Sequence, residues 1–195
     1  MPIFSADGWS VKLVPAYQLR VELVGIKPAV WRRFIVPPGI KLPKLHETIQ
    51  AAMGWHGGHM HEFIIGDEHY GLPYPGMEND PPLEDERRKS LKGALGGYRA
   101  FRYIYDFGDY WDHKVKLEKI LPDDGGLKLP MLTGGANATP PEDVGGVQGY
   151  RDFLAILADP KHEEHESMLE WVGGAFDPTR FDDAAVDARF STITP

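Results

Sequence analysis

An α+β fold is the architecture this sequence predicts: a mixed or mainly antiparallel sheet with helices packed against it and a helical C-terminal part. Three observations predict it. Period-two runs of β-branched and aromatic residues fill the first two thirds, period-3.6 runs fill the last third, and one helical run sits between early strands. The 195 residues are enough for one domain with a proper core, and 22 glycines with 17 prolines predict long ordered loops. The expected organisation is a leader over 1–16, a single domain over 17–190 and a tail over 191–195.

Tyr17 to Gly25 alternates around Leu19, Val21 and Leu23, and Val30 to Val36 carries a second such run, so two neighbouring strands are expected. Leu42-Pro43 opens a helix, because proline near the first turn forfeits no hydrogen bond. Leu45, Ile49, Ala52 and Met53 share one face of it, and Gly54 ends it. His59 to Gly66 reads as a strand with a hairpin partner at Glu68 to Tyr70. Leu72 to Lys89, Pro-rich and charged, reads as a surface loop. Arg99 to Asp106 and Tyr110 to Leu121 read as long strands joined at Phe107-Gly108-Asp109, with a turn over Pro122 to Gly126. Leu127 to Gly149 reads as an extended loop with a short strand at Met131. Helices follow over Tyr150 to Ala158, His162 to Val172 and Asp182 to Phe190.

Composition narrows function by exclusion. With no cysteine there is no disulfide, thiol nucleophile or thiolate zinc site, and a cytoplasmic location is expected. The first ten residues lack a signal-peptide pattern, and no apolar stretch approaches membrane-spanning length, so no membrane association is expected. The net charge of −8 is unevenly placed: residues 1–60 hold 7 basic against 3 acidic side chains, while residues 131–195 hold 4 against 12. Only the basic N-terminal third, through Lys27, Arg32, Arg33, Lys41 and Lys44, offers a nucleic-acid partner a surface. Walker, Rossmann, nucleophile-elbow and zincin patterns are absent.

Tyr105 to His113 packs three acids, a histidine and four aromatics around Gly108, the mixture of a partly buried polar site. Trp111 and His113 share one face of their strand, and either Asp106 or Asp109, with Asp109 favoured, is expected to bond backbone N–H groups of the turn. His113 beside a carboxylate suits acid–base work, or a structural hydrogen bond beneath the aromatics. His59 and His61, two apart in a strand, offer two imidazoles to one divalent metal, with His46 approaching from the preceding helix; the alternative is a hydrogen-bonded pair at the sheet edge. Glu142 and Asp143 follow two stiffening prolines just before a helix. They suit either a cap on that helix or ligation of a hard cation.

These segments fall in a recognisable order: Val30-Trp31-Arg32-Arg33, Leu45 to Gln50, Met53-Gly54-Trp55, His59 to Phe63, Tyr105 to His113, and Pro140 to Gly146. The series resembles the Ri-plasmid ORF-3-like family, some of whose members are labelled transposon-passenger TnpR proteins, from about Tyr17 to about Phe190. The resemblance implies a compact α+β domain with no established reaction. It does not imply a serine resolvase: Ser5 and Ser10 precede the first strand, and no basic helix pair follows the domain. Family members often carry cysteine just before the Pro-Pro-Glu-Asp run, where this chain has Thr139, so no thiol chemistry operates there.

The expectation is that His46, His59, His61, Asp109, Trp111, His113, Glu142 and Asp143 converge on one cleft. The leading function is a non-enzymatic module binding a small ligand or a protein partner. The alternatives are a metal-assisted hydrolase or nuclease, and a nucleic-acid accessory protein of mobile elements.

Overall fold

The computed structural model describes residues 14–73, 82–123 and 126–194. Most of the leader, the middle of the Pro-rich loop and the centre of the turn after Pro122 therefore lie outside the described residues. Eight strands form one sheet in the order β5-β4-β3-β6-β7-β1-β2-β8. Every pair is antiparallel except β4 with β5, so the sheet is mixed but mainly antiparallel, and with its helices it makes the expected α+β fold.

The sheet buries one face, and alternation in the sequence decides which. In β1 (Val14–Leu23), Tyr17, Leu19, Val21 and Leu23 are buried, while Gln18, Arg20 and Glu22 face outward. β2 (Trp31–Val36) pairs with it antiparallel, as the sequence predicted. Helix α1 (Leu42–Met53) buries Leu42, Leu45, Ile49, Ala52 and Met53. Pro43 stands in its first turn, and Gly54, left-handed at φ 85°, ends it.

Strand β3 (His61–Ile65) starts two residues later than expected, so His59 precedes the strand rather than sharing its face with His61. The hairpin partner β4 (Glu68–Gly71) is present. Within the charged stretch read as a surface loop, the chain forms β5 (Leu83–Asp85), a 3-10 turn over Glu86–Arg88 and, just beyond, a short helix α2 (Leu91–Leu95). The period signal failed there because three residues are too few to register and the charges mimic a solvated loop.

Strands β6 (Ala100–Tyr105) and β7 (Trp111–Asp123) form the predicted hairpin, β7 running through Pro122 instead of turning there. Register stacks the inner face into rows: His61 opposite Tyr105 opposite Trp111, and Phe63 opposite Tyr103 opposite His113 opposite Leu23. Edge strand β8 (Met131–Ala136) is longer than the short strand expected at Met131. The three closing helices are α3 (Gly146–Ala158), α4 (His165–Val172) and α5 (Asp183–Phe190), with α5 lying against α1 and β8.

Helix α3 begins four residues earlier than its apolar periodicity announces, and Gly145 and Gly146 at its start both adopt positive φ. Gly146, at φ 67°, also lies against the hairpin turn: a Cβ there would stand 2.3 Å from the Asp109 carbonyl oxygen. Gly146→Ala is expected to destabilise the fold by about 2 kcal/mol or more, from the left-handed backbone and the clash together. Gly39→Ala, where a Cβ meets nothing within 4 Å, should stay within about 0.5 kcal/mol. Urea unfolding of the two variants checks the contrast.

Candidate functional site

Tyr103 lies at the centre of the buried face. The Gln50 amide donates to its hydroxyl at 2.9 Å, and that hydroxyl lies 2.6 Å from His46 Nδ1. With Gln50 donating, the phenolic proton goes to His46 Nδ1, which fixes the imidazole with its hydrogen on Nε2, toward Gly57. Burial raises the Tyr103 phenol well above its ordinary value, so it stays a donor. Burial, and secondarily the neighbouring His61, lowers the His46 pKa to about 3.

His46 stacks on His61 with ring centroids 3.6 Å apart and planes 10° from parallel. His61 Nε2 meets a carboxylate oxygen of Glu86 at 2.9 Å, and Glu86 is only 1% exposed. His46, His61, Glu86, Glu47, Leu72 and Arg87 border a cleft of about 390 Å³, which Gly57 to Met60 also line. Glu86 was missed by sequence reasoning. It stands in the run Glu84-Asp85-Glu86, and only the parallel pairing of β5 with β4 turns the third acid inward.

A second group adjoins the first across Tyr105. The Tyr105 hydroxyl donates to Glu142 at 2.7 Å, and Glu142 also accepts from the His56 backbone N–H at 3.0 Å and lies 2.8 Å from His56 Nδ1. Burial pushes the Glu142 carboxyl up, but these hydrogen bonds outweigh it and leave the pKa lowered. Trp55 stacks on Tyr105 at 5.2 Å, packs against Trp111 and His113, and donates its indole N–H to the Pro140 carbonyl. The loop carrying Glu142 is thereby tied to the sheet at two points.

His59 stands between two carboxylates: its Nδ1 is 3.6 Å from Asp106 and its Nε2 is 3.2 Å from Asp143. Donor atoms of His59, Asp106 and Asp143 all lie within 4.8 Å of one another. His59 and His61 do not face a common carboxylate, since His61 turns to Glu86 and His59 to the two aspartates.

Three further expectations need correction. The turn role falls to Asp106, whose carboxylate accepts from the Gly108 N–H, while Asp109 accepts from Gly145 and joins the hairpin to the loop before α3. Glu142 and Asp143 do not cap α3, whose N-cap is Gly145 with no side-chain bond. Trp111 and His113 face inward together, but both are buried and support the site from beneath rather than lining an open wall. His113 Nδ1 lies 3.0 Å from the Tyr103 carbonyl, to which it donates; its Nε2 has no hydrogen-bond partner, and burial lowers its pKa to about 4.

Of the five basic residues expected to offer a nucleic-acid surface, Lys27 and Lys41 are exposed. Arg32 is buried, Arg33 is bound by Glu118 through two hydrogen bonds, and Lys44 pairs with Glu47. Among the described residues no helix is long and apolar enough to cross a membrane.

Fold and site together define a class: a mainly antiparallel sheet with one buried face, and a histidine, tyrosine and carboxylate network where that face meets α1. The chain belongs to the plasmid pRiA4b ORF-3-like protein family, whose model matches residues 15–185. It is 44% identical over 178 residues to the uncharacterized protein y4hQ of Sinorhizobium fredii (strain NBRC 101917 / NGR234), covering 90% of this chain and 87% of that protein. It is also similar to the crystal structure of a protein of unknown function, MM3350, from Methanosarcina mazei Go1. That likeness has a TM-score of 0.79 and 39% identity, covering 89% of this chain and 98% of the other.

Two outcomes follow from this network. Long-range proton–nitrogen NMR should find His46 as the Nε2–H tautomer and His113 as the Nδ1–H tautomer, both neutral at pH 5. Because their folded pKa values lie below the unfolded value of 6.5, the unfolded chain binds more protons, and stability should fall as pH drops from 6.5 toward 4. Tyr105→Phe should cost about 1.5–3 kcal/mol at pH 7, the range for a hydrogen bond to a charged group. For Glu142 the folded pKa is depressed, so its stabilisation is present above 4.5 and lost as pH falls through the folded value. The cost of Tyr105→Phe should therefore shrink at low pH, as urea unfolding at pH 7 and pH 3 will measure.

Proposed function

We propose that this protein is a non-enzymatic binding module whose cleft, between α1, the segment Gly57 to His61 and the turn Glu86–Arg88, takes a small polar ligand with an acceptor oxygen. The observation carrying this reading is the His46–His61 stack at the border of the 390 Å³ cleft, a volume in the range of small-molecule sites. The bonds from Gln50 through Tyr103 leave His46 Nε2–H as a fixed donor beside Gly57. Arg87 at the rim adds charge of the matching sign, although Asp85 already holds it in part.

Chemistry favours binding over catalysis. No serine, threonine, cysteine or lysine is among the described residues lining this cleft. A histidine with a pKa near 3 is a poor proton acceptor near neutrality, because general bases work best with pKa values close to the operating pH. The test is a titration with acetate, succinate, acetamide and phosphate, followed by amide NMR shifts. At least one probe should shift Gly57 to Met60 saturably, and His46→Phe, which keeps a ring and removes the donor, should abolish the shift. Failure of all four probes, or shifts indifferent to that substitution, would refute the reading.

A second reading, a metal-assisted hydrolase or nuclease, is favoured by the donor set of His59, Asp106 and Asp143. Three nitrogen and oxygen donors leave coordination positions for water, the arrangement such chemistry uses. Under this reading Mn²⁺ should selectively broaden the resonances of these three residues, and His59→Gln should remove the effect. Uniform broadening across the acidic surface would count against it.

A further inference from the structure

A separate cavity of about 430 Å³ lies where β2, the C-terminal end of α1, the Ala138–Thr139 loop and the approach to α5 meet. Arg32 lines it. This arginine is 3% exposed, yet it pairs with no carboxylate among the described residues. Its Nε donates to the Ala52 carbonyl at 2.9 Å, its Nη1 to the Trp31 and Ala136 carbonyls, and its Nη2 to the Thr139 hydroxyl at 2.8 Å. A guanidinium has five N–H donors. These contacts use four, and the fifth, on Nη2, has no acceptor among the described residues.

A buried charge is ordinarily matched by a counter-charge, because taking an ion out of water is costly unless something replaces the hydration. Carbonyl dipoles do so only in part here. Burial lowers the Arg32 pKa to about 10, which still leaves the guanidinium charged at neutral pH. The two acids of the cavity are otherwise engaged: Asp177 accepts from the Thr179 N–H and hydroxyl, and Asp182 caps α5 through Ala185 and pairs with Arg180. The rest of the lining is mainly apolar, with Met53, Ala138, Ala175, Phe176 and Val186. The Phe181 ring covers the guanidinium, its centroid 4.4 Å from Cζ.

We propose that this cavity is a binding site for a small aromatic or aliphatic carboxylate, whose carboxylate meets the free Nη2–H of Arg32 and whose apolar body packs against Phe176, Phe181 and Val186. The ligand supplies the counter-charge that the protein withholds from Arg32. A carboxylate fits better than a phosphate, since one N–H is free and the wall, apart from Thr139, Asp177, Arg180 and Asp182, is apolar. This site stands apart from the histidine cleft and does not depend on the reading given to it.

The test uses the full chain, with benzoate as probe and benzamide as its uncharged counterpart. Benzoate should bind saturably with a Kd on the order of 1 mM, as expected for so small a ligand. It should shift the Arg32 Nε–H resonance and the Phe181 and Val186 signals, and benzamide should bind about tenfold more weakly or not at all. Arg32 is part of the packed interior, so Arg32→Met would report folding as well as binding. The discriminating variant is Ala175→Trp, which fills the cavity from an exposed position and should abolish benzoate binding while the far-UV spectrum and melting cooperativity persist. Equal binding of benzamide, benzoate binding that survives Ala175→Trp, or no saturable shift at Arg32 would overturn the proposal.

Discussion

The hydroxyl of Tyr103 is the contact on which the rest of the site depends. It sits on the central strand β6, accepts from Gln50 on α1 and orients His46, while its own carbonyl receives His113 from the neighbouring strand. Two helix residues are thus set by one fully buried side chain, and His113 by the backbone of the same residue. A hydroxyl at that depth is costly unless both its donor and its acceptor capacity are used, and here both are. That requirement fixes where α1 lies over the sheet, and therefore where His46 meets His61.

From that anchor the polar network spreads in two directions. Toward the sheet edge, the His46–His61 stack leads to Glu86, which the parallel β4–β5 pairing turns inward. Toward the far end of α1, Trp55 stacks on Tyr105 and reaches Pro140, tying the loop of Glu142 and Asp143 to the sheet. Asp109 and Gly146 then lock that loop to the β6–β7 turn. His46, Gln50, Trp55, His61, Tyr105, Asp109, Glu142 and Gly146, which make these ties, fall within the motifs that resemble the plasmid family, whereas Tyr103 and Glu86 lie outside them.

Much of this was legible in the sequence where local pattern and tertiary structure agree. Alternation in β1 and β7 announced the buried face, and Pro43 with Gly54 bounded α1. Legibility failed where long-range register decides. Glu86 is chemically indistinguishable from its solvated neighbours until β5 pairs with β4, and His59 leaves the strand because the chain bends ahead of His61. The turn role favoured for Asp109 fell to Asp106 because the partner of Asp109 is a backbone N–H thirty-six residues away. Tyr103 stood inside a predicted strand and Tyr105 opened the segment read as a polar site, but nothing local reveals what their hydroxyls reach.

The register irregularity between β2 and β8 bears on how this molecule behaves in a crowd of its own copies. An unpaired strand edge is a template for another chain, and this sheet has two. At one end β5 is only three residues long. At the other, β8 is bulged against Arg33 and Phe34 and carries Gly134 and Gly135, with the Phe181 ring lying over the second glycine. A short edge and a kinked, capped edge both refuse the flat alignment that strand addition needs. The glycines that limited the sequence reading to a short strand at Met131 also make this edge a poor template for strand addition.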